Sequence, residues 1–284
     1  MATLITPRAD RVWRFLNPFG FSRSLWGHRN LILQFTVREV QGRYKASSLG
    51  LFWSFLHPLL LLLIYTFVFG VVFRARWPHL RRTGDLAEFA LVLFCGLIPF
   101  NLLAECVSRA SSLVVAVPNY VRKVPFPLEV LPVSAVGSAS FHAAMSLVVL
   151  VVMRLVTQGT IAPTLVLLPL VVIPLLFLCL GLTWFIASLV VFIRDLGYVV
   201  PLALQVLLFA TPIFYPLDAV PERFQPMLRG NPLALIIEDF RRVVLWDLPP
   251  DWGRLTGSAL VGAAVMLLGY AWFMKTKRGF ADVL

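Results

Sequence analysis

Six runs of roughly twenty apolar residues recur along the chain, each about the length that carries an α-helix across ~30 Å of hydrocarbon at 1.5 Å per residue. They read as residues 51–73, 88–107, 130–153, 165–193, 197–215 and 255–274. In lipid a backbone must satisfy its own N–H and C=O groups, and a lone run of this length does so only as a helix. The expectation is an all-α integral membrane protein with six transmembrane helices. Composition agrees, since 59% of the 284 residues are hydrophobic and 14% charged, which excludes an ordinary soluble domain. The fourth run is the least regular. Residues 160–193 carry no charge, and Pro163, Pro169 and Pro174 punctuate the first half, so one kinked helix and a split pair both stay open.

Basic residues set the orientation, because Lys and Arg are retained on the cytoplasmic side. Six spans leave both termini on one side, and 15 of the 25 basic residues fall there, against ten opposite. Both termini and the loop holding Arg122 and Lys123 are therefore expected in the cytoplasm, with residues 216–250 outside. The net charge of +11 fits membrane retention and contact with anionic lipid headgroups, and no nucleic-acid partner is expected. Arginines interrupt the first fifty residues, so no cleavable signal peptide is read. Cys95, Cys106 and Cys179 lack CxxC spacing and read as packing residues. Residues 1–50 form a cytoplasmic tail with an amphipathic interface helix, and 51–284 form the membrane domain.

Within that tail, residues 28–45 carry an apolar stripe at Leu33, Val37, Val40 and Tyr44, with Gln34, Arg38, Gln41 and Lys45 one position later. That pattern suits a helix lying on the membrane surface. Leu31, Ile32 and Phe35 lie elsewhere on the wheel, and a second apolar cluster points to a protein neighbour.

Catalytic chemistry is sparse. There is no HExxH, no GxSxG and no clustered carboxylate pair, and His28, His57, His79 and His142 are scattered, so neither catalytic residues nor a metal site are expected. No run carries a charged residue near its centre, which argues against a self-powered, proton-driven pump. No glycine is followed by lysine, so the chain has no P-loop. If the protein pumps, another chain binds ATP and Mg and supplies the energy, and this one is then expected to be a transport subunit without a cofactor rather than an enzyme.

Such a partner needs a handle on the cytoplasmic face. The stretch YVRKVPFPLEVLP (120–132) provides one, because Pro125 and Pro127 stiffen the backbone around Phe126 and present it as a knob.

Four segments carry a resemblance: VREVQGRYKASSLGLFWSFLHPLL (37–60), VRKVPFPLEVLP (121–132), RDLGYVVPLALQ (194–205), and TPIFYP with NPLALIIEDFRRVVL (211–216, 231–245). In this order and spacing the chain resembles the membrane subunits of ABC-2 exporters, nearest the Wzm-type O-antigen permeases, with capsule and teichoic-acid permeases as relatives. The resemblance implies a homodimer around a channel in the bacterial inner membrane, two separate ATPase subunits, and export of a lipid-linked polysaccharide. It makes residues 28–45 the interface helix and 117–127 the coupling helix. The ATPase-coupling set is then Arg38, Glu39, Tyr120, Arg122, Lys123, Val124, Pro125, Phe126 and Pro127. Residues 216–250 are similar to the short re-entrant or periplasmic gate helices. There Asn231 suits an N-cap and Pro232 the first helical position, while Ile236, Phe240, Val243 and Val244 share an apolar face. Small-lipid or drug export, an integral-membrane transferase and a non-transporting assembly or anchoring subunit are the alternatives.

A sliding path for a glycan is legible in the aromatics. Tyr65, Phe69 and Phe73 fall on one line of the first run, and Tyr198, Gln205 and Phe209 share a face of the fifth. Sugar C–H faces rest on aromatic rings while hydroxyls seek a polar group, so these six are the expected channel lining. The arginines of RARWPHLRRTGDLAE (74–88) read as a solvated loop.

Overall fold

The structure is a computed structural model describing residues 25–45, 50–74, 77, 85–122 and 126–284. A surface helix α1 (Arg29–Tyr44) precedes α2 (Trp53–Tyr65), which runs on through a π-helical stretch, Thr66–Val72. Next come α3 (Leu86–Leu113), the short α4 (Pro118–Arg122) and α5 (Val130–Gln158). A turn at Pro163–Leu167 leads to α6 (Leu168–Phe192) and α7 (Leu196–Phe209). The last elements are α8 (Gln225–Arg229), α9 (Pro232–Val244), α10 (Trp252–Thr276) and α11 (Phe280–Val283).

Among the described residues five segments are long and apolar enough to cross a membrane: those built on α2, α3, α5, α6 and α10. The fifth run behaves differently. Its helix α7 has 14 residues, about 21 Å, and stops at Phe209 rather than continuing to residue 215. The fourth run resolves as one helix, with Pro174 inside α6 and the upstream prolines at its start.

The core is organised on α3. Asp85 starts it by accepting the backbone N–H groups of Ala87 and Glu88, and nearly every residue from Phe89 to Phe100 is buried against α5, α6 and α9. Glycine permits the closest contact of the bundle, between α6 and α10. A methyl on Gly269 would overlap the Gly181 carbonyl, and one on Gly262 would stand 2.7 Å from the Pro174 carbonyl. By contrast α2 buries only Ser54 and Leu62 among its described side chains, leaving Leu63, Ile64 and Phe67 open. That uncovered apolar face fits contact with lipid or with another membrane subunit.

Candidate transport pathway and coupling surface

The surface helix is docked through its second cluster. Leu33 and Val37 of the expected stripe are exposed, whereas Ile32, Phe35 and Thr36 are partly covered. The Thr36 hydroxyl lies 3.4 Å from the Ser134 carbonyl, and a methyl on Gly137 would meet that hydroxyl at 2.8 Å. The neighbour that the second cluster called for is α5 of the same chain. Polar contacts complete the join: Arg109 donates from Nε to Glu39 at 2.8 Å, and Arg43 pairs with Glu105 at 2.8 Å. His142 of α5 shares that Glu105 oxygen at 2.8 Å. Arg43, Glu105, Arg109 and His142 line a cavity of about 610 Å³ between α1, α2, α3 and α5, as does His57. His142 thus makes an interhelical hydrogen bond, and no group of His, Cys, Asp and Glu suited to a metal occurs among the described residues.

In the coupling segment, α4 ends at Arg122, while Lys123, Val124 and Pro125 lie outside the described residues, as does the Arg122 side chain. Phe126 corrects the expectation of a free knob. Its ring stacks on Tyr120 at 4.9 Å and meets Phe35 of α1 at 5.4 Å, leaving it half-buried. Stacking aromatic surface within the chain is favourable in the absence of a partner. Tyr120 of α4 and Phe126 therefore share one aromatic clasp with Phe35 of α1, followed by Pro127. Arg38 remains exposed on the outer side. Below the clasp, Glu129 accepts a bond from Lys277 Nζ at 2.6 Å, tying the loop to the C-terminal segment. Buried Phe280 anchors that segment against Phe273.

Four of the six expected lining residues converge. Phe69 stacks on Phe214 at 4.4 Å and 12°, Tyr65 approaches the same ring at 5.0 Å, Phe209 at 5.8 Å, and Phe73 joins through Phe69 at 5.7 Å. Phe214, which the sequence reading did not single out, is the buried centre. Phe73 and Phe209 expose an outer edge. Tyr198 and Gln205 lie apart, exposed on α7.

The gate segment is more embedded than a surface helix. Asn231 caps α9 by accepting the Leu233 N–H at 3.0 Å and donates to the Thr211 hydroxyl at 3.1 Å, with Pro232 at the first position. Ile236, Phe240, Val243 and Val244 are all buried, and α9 packs on α3, α6 and α10. Arg241, wholly buried, donates to the carbonyls of Pro212 (3.0 Å), Ile213 (3.1 Å) and Val92 (3.4 Å), with its guanidinium 4.3 Å from the Trp77 ring. Gly96 makes room, since a methyl there would stand 2.7 Å from Arg241 Nη2. At the other end Thr164 donates to the Val243 carbonyl at 2.7 Å, and Arg154 donates to that of Val244 while holding both oxygens of Asp247 at 2.9–3.0 Å. Arg154 lies within α5, not in a loop, because that helix extends to Gln158. Asp239 accepts the Asp251 N–H at 3.0 Å and faces Arg254 at 3.4 Å; its burial pushes its carboxyl above the usual range.

The sequence reading missed Arg154, Arg241, Asp239 and Phe214. It counted both arginines only as charges outside the membrane. A clue existed in Arg241, which interrupts an otherwise apolar register of α9.

A surface helix clasped to the loop around Phe126, a short apolar helix and a buried cross-helix, set among five helices long and apolar enough to span a membrane, make up the architecture of a multi-pass membrane protein. Residues 30–245 match the ABC-2 type transporter family, and the chain belongs to it. It is 29% identical over 262 residues to the O-antigen export system permease protein RfbA of Myxococcus xanthus, covering 92% of this chain and 97% of that one. It is 28% identical over 256 residues to the protein of the same name in Klebsiella pneumoniae, covering 90% and 95%. With the polysialic acid transport protein KpsM of Escherichia coli it shares 22% identity over 245 residues, 83% and 89% of the two chains.

Proposed function

We propose that this chain is the channel-forming subunit of an ABC exporter that moves a lipid-linked polysaccharide, an O antigen, across the bacterial inner membrane. In this reading two copies enclose the path and two separate ATPase subunits, binding ATP and Mg, dock on the cytoplasmic face around Phe35, Tyr120 and Phe126. Both termini are cytoplasmic, and α9 stands on the external side. The observation that carries the reading is the near end-to-end match to O-antigen export permeases, 97% of the Myxococcus relative. The uncovered apolar face of α2 supports a second copy, and the rings around Phe214 support a glycan path. The KpsM match keeps capsule polysaccharide as the second reading.

The test is deletion of the gene, followed by analysis of surface polysaccharide and of lipid-linked glycan inside the cell. Loss of surface O antigen with internal accumulation, reversed by the intact gene, is the expected result. Normal surface glycan with altered structure would point instead to a transferase. Capsule loss with O antigen intact would move the cargo to the second reading.

A further inference from the structure

A pocket of about 180 Å³ sits beside α9, between that helix, Trp77 and residues 212–218. Its wall is formed by Trp77, Trp246, Asp218, Arg229, Leu235 and Glu238, with the Arg241 guanidinium behind Trp77. Trp77 is 8% exposed, and its Nε1–H is buried with no hydrogen-bond partner among the described residues. Buried donors are almost always paired in folded proteins, so an orphaned indole N–H on a residue of the cavity wall points to a group that reaches it when the cavity is filled. The mixture of groups narrows its chemistry. An indole offers an apolar plane and one donor, whereas carboxylates accept from adjacent hydroxyls and a guanidinium donates to ring or hydroxyl oxygens. A pyranose presents just that set: a C–H face, vicinal hydroxyls and acceptor oxygens. The volume, about six water molecules at ~30 Å³ each, suits one ring rather than an extended chain.

We propose that this pocket binds one sugar ring of the exported glycan on the external side of the gate helix, giving the emerging chain a hold that resists backward sliding. The inference rests on the polysaccharide reading above. Trp77 supplies the donor and a ring edge, Glu238 and Asp218 accept hydroxyls, and Arg229 donates. Because α9 carries Leu235, Glu238 and Arg241, occupancy of the pocket is sensed by the gate helix directly.

The experiment uses the full chain in lipid nanodiscs, free of glycoside detergents. Saturation-transfer difference NMR is recorded with the methyl pyranosides of glucose, galactose, mannose, rhamnose and N-acetylglucosamine. Transfer to at least one is expected, with about tenfold weaker binding for Trp77→Phe, which keeps an aromatic ring and removes the N–H, and for Glu238→Gln. Asp218→Asn, at an exposed position, gives a variant whose folding is not at stake and is expected to weaken binding in the same direction. Absence of transfer to all five probes, or unchanged affinity in Glu238→Gln and Asp218→Asn, overturns the proposal. Polysaccharide export unaffected by deletion of the gene overturns the exporter reading instead, and the two failures are read in separate assays.

Discussion

Arg43 and Glu105 pair at 2.8 Å, and one turn away on each helix Glu39 and Arg109 pair with the signs reversed. The two helices run in opposite directions at this join, so the ladder fixes the register of α1 on α3. Its guanidiniums are about half-exposed, and each pair on its own contributes little. Reversal of one partner is a different matter, because it sets like charges together. Glu39→Arg is expected to lower stability by about 1 kcal/mol, and the double variant Glu39→Arg with Arg109→Glu to recover most of it. Thermal unfolding in nanodiscs measures both; a double variant no better than the single one contradicts the ladder.

Gly269→Ala is expected to destabilise the bundle by about 3 kcal/mol, at the upper end of overpacking costs, because the methyl meets backbone that has no rotamer to change. Gly257→Ala on the same helix has open space around it and is expected to be neutral or slightly stabilising. Melting temperatures of the pair decide the point, and equal values would show that α6 and α10 are not in contact there.

Arg241→Lys keeps the charge but gives up the planar fork that serves the carbonyls of Pro212, Ile213 and Val92. A loss of about 3 kcal/mol is expected. Gly96→Ala, which pushes on the same guanidinium, is expected to act in the same direction. Limited proteolysis within residues 210–231 reads out release of α9, and a protease pattern unchanged in both variants would refute the clamp.

Phe126→Ala and Phe35→Ala are expected to produce the same phenotype, since both rings close on Tyr120. With the ATPase partner present, glycan-stimulated hydrolysis is expected to fall while insertion persists, at a cost of about 2 kcal/mol in docking. Full stimulation in either variant would separate the clasp from coupling.

Cysteines placed at Phe73 and Gln205 are expected to react with a water-soluble thiol reagent during transport, and one at Phe214 to stay protected. The native Cys95, Cys106 and Cys179 are buried and give a quiet background. Protection of both test positions throughout turnover would place these faces against lipid or another helix.

The long apolar runs were legible because hydrophobic length and helix rise fix each other; α3, α5 and α10 begin close to expectation, while α3 and α5 run more than a turn past their expected ends, to Leu113 and Gln158. The N-cap at Asn231 and the buried face of Ile236 and Phe240 were legible for a similar reason: local periodicity carries them. Phe214 and Arg241 were not. Their roles depend on partners far away in the chain, Phe69 and Val92, and no local pattern records such pairings. Phe126 shows the converse, since proline chemistry gave the stiffness of its loop but not the direction of its ring.

Helix α7 stops after 14 residues, and the carbonyls just past its end look to Arg241 for their hydrogen bonds. A backbone carbonyl left alone in hydrocarbon costs several kcal/mol. Withdrawing α9 therefore strands two acceptors at once unless water replaces the guanidinium. Displacing α9 and wetting the carbonyls of Pro212 and Ile213 are thus coupled, and on the proposed function any opening at α9 admits water as it proceeds.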